Sequence, residues 1–316
     1  MKNENDLIRL FSINIRNRLK MLRLDIDRLQ EIRMRINGPM ILKYAGREYI
    51  VEENGGIGQV SQRPYIVVQN EMRETMEYIS NYSLYAFEDE IRQGFITVQG
   101  GHRVGISGKV VVEDGHIKTI KYISSINIRI SHEVKGCATK VLNSIYNANS
   151  IYHTLIISPP GCGKTTLLRD LVRQLSNGTQ KRRGLTVGVV DERSEIASCY
   201  MGIPQNDVGV RTDVLDCCPK DKGMMMLIRS MAPEVIAIDE IGGMEEINSI
   251  KYAINCGCRM IATVHGSSLE DVNRRYGVNS LIRDEIFERC IILDKIRGVG
   301  NVTAIYDMSG KEVIRL

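Results

Sequence analysis

The stretch LIISPPGCGKTTLLRD, Leu155 to Asp170, constrains this 316-residue chain more than any other. It runs from an apolar strand through glycines into a helix, the order of a phosphate-binding loop, G-x-x-x-x-G-K-[ST]. Gly163, Lys164 and Thr165 stand where that pattern needs them, and Ser158 stands where the first glycine belongs. Pro159 and Pro160 carry no N–H and cannot donate to a phosphate. The cradle therefore has to be built from Gly161, Cys162, Gly163, Lys164 and Thr165, with Thr166 following, and Ser158 lies upstream of it. Lys164 is placed to reach β- and γ-phosphates, and the Thr165 hydroxyl to bind Mg²⁺. The helix that follows has one apolar face, Leu167, Leu168, Leu171, Val172 and Leu175, and Gly178 suits its C-terminal cap. Its N-terminal N–H groups and dipole favour anionic charge at the loop. The Cys162 thiol, inside the cradle, is expected to be open to alkylation and protected by ATP.

The surrounding pattern extends this into a fold. HTLIIS, LTVGVVD, EVIAIDE and RMIATVHG are continuous apolar runs alternating with helices, which suits strands buried on both faces of a parallel sheet. Residues 136–316 are thus expected to form an α/β domain with a mostly parallel central sheet. GCATKVLNSIYNA reads as the helix leading into it, and CIILDKIRGVGNVTAIYDMSGKEVIRL as antiparallel strands with glycine turns. Residues 1–135 read as a smaller α+β domain. Leu7, Phe11, Ile15, Leu19, Leu22, Ile26 and Leu29 mark a helical stripe, and Met72, Met76, Ile79 and Tyr82 a second. Arg16, Arg18, Lys20 and Arg23 lie within the first stripe. A helix packed on its own domain is the expectation there, ahead of a membrane-surface helix.

Two strand ends carry carboxylates that metal-bound phosphate chemistry needs. EVIAIDEIGG looks like a Walker B strand, with Asp239 for the Mg²⁺ shell and Glu240 to orient or deprotonate the attacking water. VGVVDERSE presents Asp191, Glu192 and Glu195, and the sequence does not apportion metal and water duties between the two ends. MIATVHGSS places Thr263 and His265 at a third strand tip, where a polar group can sense a γ-phosphate. Ser268-x-x-Asp271 reads as a helix start close to a capping box. Arg103, Arg129, Arg193, Arg211 and Arg229 flank these segments as candidates for neutralising transferring charge. Their positions in the chain do not say which one reaches a phosphate.

Composition removes other classes. A net charge of +4 does not call for nucleic acid, and with no tryptophan and four phenylalanines, aromatic stacking platforms for single strands are not expected. The opening MKNENDLIRL lacks the apolar core of a signal peptide, and no run of about 18 apolar residues occurs. A cytoplasmic chain with eight reduced cysteines is expected. Cys217-Cys218 and Cys256-x-Cys258 lack zinc-site spacing. No N-K-x-D points to guanine and no L-S-G-G-Q to a transporter ATPase.

The ordered set EIRMRINGP, GFITVQGGHRVGISG, VVDERSEIA and RTDVLDCCPKDKGMMMLIRSMAPEVIAIDEIGG, followed by IATVHG, resembles the secretion ATPases of type II and type IV systems, in the additional-strand P-loop class. More narrowly it is similar to the AA family of stage III sporulation proteins, from about residue 31 to 305. The resemblance implies a RecA-like P-loop fold and ATP hydrolysis by hexameric rings, with an N-terminal domain that helps clamp the nucleotide. Arg103 and Arg129 match arginines that approach the γ-phosphate; Arg211 and Arg229 match arginines near the site or a subunit boundary. It also implies membrane-protein partners in a channel between mother cell and forespore, with peripheral membrane association through them. The chain departs from the secretion ATPases at Ser158 and at Asp239-Glu240, where Gly-Glu is common. The expected function is an ATP-hydrolysing motor of such a channel. The alternatives are a nucleic-acid-dependent P-loop ATPase, marked by salt-dependent oligonucleotide binding, and a structural channel subunit that binds ATP without turnover.

Overall fold

The stripe from Leu7 to Leu29 folds as two α-helices, a short 3-10 helix (Ile26–Arg28) and the start of a strand rather than as one helix. The computed structural model describes residues 4–83, 87, 90–91, 94–148, 150–275, 277–294, 300–307 and 309–315. Helices span Glu4–Arg9 and Ile13–Leu22, and the Ser12 hydroxyl caps the second by accepting from the Ile15 N–H. Arg23, in the left-handed region at φ 46°, ends it, and Leu29 already belongs to strand β1, Leu29–Arg35. Periodicity alone cannot register that break, because the apolar spacing survives it. Leu7, Phe11, Ile15 and Leu19 are buried. The basic residues among them serve their own unit. Arg16 donates to the carbonyls of Arg9 and Phe11, and the Arg18 guanidinium stacks 4.0 Å from the Tyr65 ring centroid.

The chain divides into two compact units, Met1–His132 and Glu133–Leu316. Among the described residues of the first, β1 lies in a seven-stranded antiparallel sheet with β2 (Ile41–Tyr44), β3 (Arg47–Val51), β4 (Ile57–Gly58), β5 (Phe95–Val98), β6 (His102–Glu113) and β7 (His116–Arg129), ordered β4-β3-β2-β1-β7-β6-β5. Alternation assigns its faces: Ile32, Met34, Val104, Ile126 and Ile128 are buried, while Glu31, Arg33 and Arg129 are on the other side. The helix Gln69–Ile79 buries Met72, Met76 and Ile79; Tyr82 lies past its end. The rest of the helical run expected there includes residues 84–86, 88–89 and 92–93, outside the described residues.

In the second unit eight strands are ordered β10-β9-β11-β12-β8-β13-β14-β15. They are β8 (Thr154–Ser158), β9 (Val187–Asp191), β10 (Thr212–Asp216), β11 (Val235–Ile238), β12 (Arg259–His265), β13 (Arg289–Leu293), β14 (Val302–Asp307) and β15 (Glu312–Arg315). The first six in that order run parallel, and the last two pairings are antiparallel. Two features differ from the sequence expectation. β13, read as part of an antiparallel tail, is the parallel neighbour of β8. β10 carries no strand signal in the sequence: each of its residues is only partly buried, as befits an edge, so TDVLD lacks the apolar run of the central strands. Both faces of the sheet are covered. The helix Lys164–Asn177 contributes Leu167, Leu168 and Leu171 to one core, and the helices Lys220–Ser230 and Met244–Asn255 contribute Met224, Leu227 and Ile247 to the other. All strands flanking the loop end on the same edge, so their carboxyl ends meet there.

Candidate functional site

β8 ends at Ser158, which is fully buried and lies opposite His265 at the tip of β12. The Ser158 hydroxyl donates to the Pro159 carbonyl at 2.8 Å, and its own carbonyl accepts from Gly266 N–H at 3.1 Å. The position of the absent glycine is therefore a strand residue. Gly161 and Gly163 turn the chain at φ 73° and 89°. A Cβ at Gly161 would meet nothing within 4 Å, so backbone angle, not space, requires glycine there, at roughly 1–2 kcal/mol for other residues. The N–H groups of Gly161, Cys162 and Gly163 donate to no other described residue. They adjoin the first turn of the Lys164–Asn177 helix, whose N–H groups have no intrahelical acceptor. This set of unspent donors at a helix N-terminus fits a phosphate. Cys162 contributes its backbone, whose carbonyl accepts from Gly300 N–H at 2.7 Å. Its thiol is 1% exposed, in the core that also holds Leu167 and Leu293. That corrects the expectation of easy alkylation, because the loop turns this side chain inward.

The Lys164 ammonium lies 2.5 Å from Glu240 Oε1 and 3.9 Å from Asp239 Oδ1. The Thr165 hydroxyl donates to Asp239 Oδ2 at 2.6 Å, and Thr263 donates to Asp239 Oδ1. A hydroxyl and a carboxylate so placed beside the loop fit a Mg²⁺ ion with its water shell. Glu240 has two further neighbours: His265 Nε2 is 2.8 Å from Oε1 and Arg193 Nη1 is 2.7 Å from Oε2. Burial alone would push the Glu240 carboxyl up, but Lys164, then Arg193 and His265, hold it below the usual carboxylate range. The other ring nitrogen, His265 Nδ1, is buried without a hydrogen-bond partner among the described residues.

Glu240 itself sits in the left-handed region, φ 56°, a conformation that costs a non-glycine residue roughly 1–2 kcal/mol. Its surroundings impose it. Glu240 N–H donates to Thr263 Oγ1 and Ile241 N–H to the Thr263 carbonyl, both at 2.9 Å. Gly242 N–H donates to Glu246 Oε2 at 2.9 Å, and the Glu240 carbonyl accepts from the Lys220 ammonium at 2.9 Å.

The acidic strand end after β9 divides its duties. Asp191 is 2% exposed and accepts from the N–H groups of Glu195, Ile196 and Ala197 at 2.8, 2.9 and 2.8 Å. Burial pushes its carboxyl up to about 6 in spite of those three donors. It closes a turn, which is why an acid at this strand end need not face a metal. Arg169, on the helix after the loop, donates to the carbonyls of Glu195 and Ile196 and ties that turn to the phosphate side. Glu192, a candidate for water activation, is paired with Lys220 at 3.0 Å; Glu195 lines the same cleft as Asp239 and Glu240.

No sequence motif marks Lys220. It opens the helix Lys220–Ser230, is 6% exposed, and also reaches Glu246 Oε1 at 3.1 Å. Burial would lower its ammonium, but the two glutamates outweigh it and raise its proton affinity. One local signal was available: a lysine at a helix start opposes the helix dipole and calls for a reason.

Two other predicted residues are not brought here within the chain. Arg211 binds the Ser176 carbonyl at 3.0 Å, near the far end of the Lys164–Asn177 helix, about 18 Å along it from Lys164. Arg229 is in the last turn of the helix that Lys220 begins. In the first unit Arg103 and Arg129 face each other across β6 and β7, with Glu31 opposite Arg129 on β1 and the Phe95 ring 4.0 Å from the Arg103 guanidinium.

Comparison with known proteins agrees with this architecture. A family model described as Sporulation stage III, protein AA matches residues 1–313. The chain is 41% identical over 287 residues to Stage III sporulation protein AA of Bacillus subtilis (strain 168), covering 91% of this chain and 89% of that protein. It is 26% identical over 269 residues to the uncharacterized protein ycf45 of Porphyra purpurea, covering 82% of this chain and 44% of that one. Among solved structures it resembles the ATPase DotB of Yersinia pseudotuberculosis, with a TM-score of 0.60, 15% identity, and 94% and 80% of the two chains covered. It also resembles the pilus retraction motor PilT with bound ADP, with a TM-score of 0.56, 12% identity, and 88% and 76% covered. These likenesses show the fold, an α/β P-loop fold of the kind found in secretion ATPases.

Proposed function

The chain belongs to the family described as Sporulation stage III, protein AA, and from that premise we propose that it is a Mg²⁺-dependent ATP hydrolase that drives a sporulation channel. The observation that carries the reading is the convergence of Lys164, Thr165, Asp239 and Glu240 at one helix N-terminus. The names of the structural relatives, ATPase and pilus retraction motor, support it.

Each side chain has a role under this reading. The N–H groups of Gly161 to Thr166 hold the phosphates, and Lys164 exchanges Glu240 for their β and γ oxygens. Thr165 and Asp239 would hold Mg²⁺, which when bound would neutralise phosphate charge. Transfer of Lys164 to phosphate also removes the principal charge holding the Glu240 carboxyl down. That leaves the Glu240 carboxylate to orient and deprotonate a water. His265, 2.8 Å from the same Glu240 oxygen, reports the loss of the γ-phosphate. Arg193 offers positive charge at the mouth of the cleft. Arg103 and Arg129 act as an N-terminal clamp, and Arg211 and Arg229, remote from their own loop, belong to a subunit boundary in a homo-oligomer, a hexamer by family resemblance. Membrane proteins of the channel are the partners, at the cytoplasmic face of the mother-cell membrane.

The test is phosphate release from Mg²⁺-ATP. Lys164→Ala should abolish both nucleotide binding and release. Glu240→Gln should bind ATP yet lose turnover by about 10² or more, the scale of acid–base contributions. Near-normal turnover in Glu240→Gln moves water activation to Glu195 or Glu192. ATP binding by the wild type with no release refutes the hydrolase and leaves a nucleotide-binding channel subunit.

A further inference from the structure

The Lys220 ammonium has three donors, and it spends them on three different elements. One goes to the Glu240 carbonyl at 2.9 Å, one to Glu192 Oε2 at 3.0 Å and one to Glu246 Oε1 at 3.1 Å. A lysine serving only as counter-charge would face carboxylates alone. Here one bond is spent on a main-chain carbonyl, that of the residue whose φ is 56°. Glu246 closes the same turn from the other side by accepting the Gly242 N–H. The lysine is buried and stands at a helix start, where the dipole disfavours a cation. A sequence that breaks a local preference in this way marks a specific task.

We propose that Lys220 is a positioning residue: its bond to the Glu240 carbonyl fixes the left-handed turn that aims the Glu240 carboxylate at the phosphate site. Glu192 and Glu246 are the counter-charges that hold Lys220 in place. In its kinetic consequences this rests on the hydrolase reading; in its structural consequences it does not.

Two readouts keep those apart. Lys220→Met retains most of the stem and removes all three donors. In hydrogen exchange of the nucleotide-free full chain, amides of the 239–243 turn should exchange at least about tenfold faster than in wild type, with the rest of the unit unchanged. Lys220→Arg keeps the charge with a different donor geometry and should fall between the two. Turnover in Lys220→Met should drop at least about tenfold while ADP affinity stays within about threefold. Adding Lys220→Met to Glu240→Gln should cause no further loss, because the lysine acts through that carboxylate. Wild-type exchange in the turn of Lys220→Met, or losses that multiply in the double variant, overturns the proposal. Should Lys220→Met fail to fold, Lys220→Arg decides: wild-type exchange in its turn is equally fatal. Should the wild type release no phosphate, the hydrolase reading falls and the exchange arm still judges Lys220.

Discussion

Replacing Asp191 by Asn should remove a pH dependence from the stability of the Glu133–Leu316 unit. The carboxyl is buried, and its proton affinity rises from the usual 3.8 to about 6. Between about pH 4 and pH 6 the unfolded chain has released this proton while the native state keeps it. Stability contributed by this group is therefore greatest at low pH and falls as pH rises through that window, then stays level. At about 1.36 kcal/mol for each tenfold difference in proton affinity, the fall is about 3 kcal/mol. Asn has no proton to lose. It keeps one oxygen for two of the three N–H groups of Glu195, Ile196 and Ala197 and turns its NH₂ toward the third. A pH-independent cost of about 1–3 kcal/mol follows from that unpaired donor. The assay is urea unfolding of both proteins from pH 4 to 7, followed by circular dichroism because the chain has no tryptophan. The wild-type-minus-variant difference should be largest at pH 4 and shrink by about 3 kcal/mol toward pH 7. A difference independent of pH would show that the three donors fully compensate burial and would refute the reasoning.

Two other expectations concern the site. Arg129→Ala should cut ATP hydrolysis without lowering thermal stability, since its side chain is on the exposed face of β7; an unchanged rate removes the N-terminal clamp. Cys162, at 1% exposure, should react with a thiol reagent far more slowly than exposed Cys217 and Cys256; alkylation at comparable rates, followed by mass spectrometry, would contradict the inward turn of the loop.

What could be read beforehand depended on the range of the interactions. β8, its loop and the helix after it are contiguous, so spacing and the two prolines describe them. The apolar run of β11 ends visibly at Asp239-Glu240. Asp191 shows where this kind of reading stops. An acid at a strand end looks the same whether it faces a metal or a turn, and only the N–H groups of residues 195–197 decide. The task of Lys220 is hidden for a related reason: its partners come from the segments after β9 and β11 and from the helix Met244–Asn255. Arg211 flanks the right segments, but parallel pairing of β10 with β9 puts it at the end of the sheet opposite Asp191. Pairing partners and direction are set by contacts between distant segments, which no local pattern records.

The placing of β8 between β12 and β13 has a consequence during synthesis. Both neighbours follow it in the chain, and so does Gly300, which bonds the Cys162 carbonyl. The residues of the cradle leave the ribosome before the strands that hold them. Such long-range pairing forms late. A partly made chain therefore carries the whole phosphate motif without a formed site, and nucleotide binding becomes a mark of a finished fold.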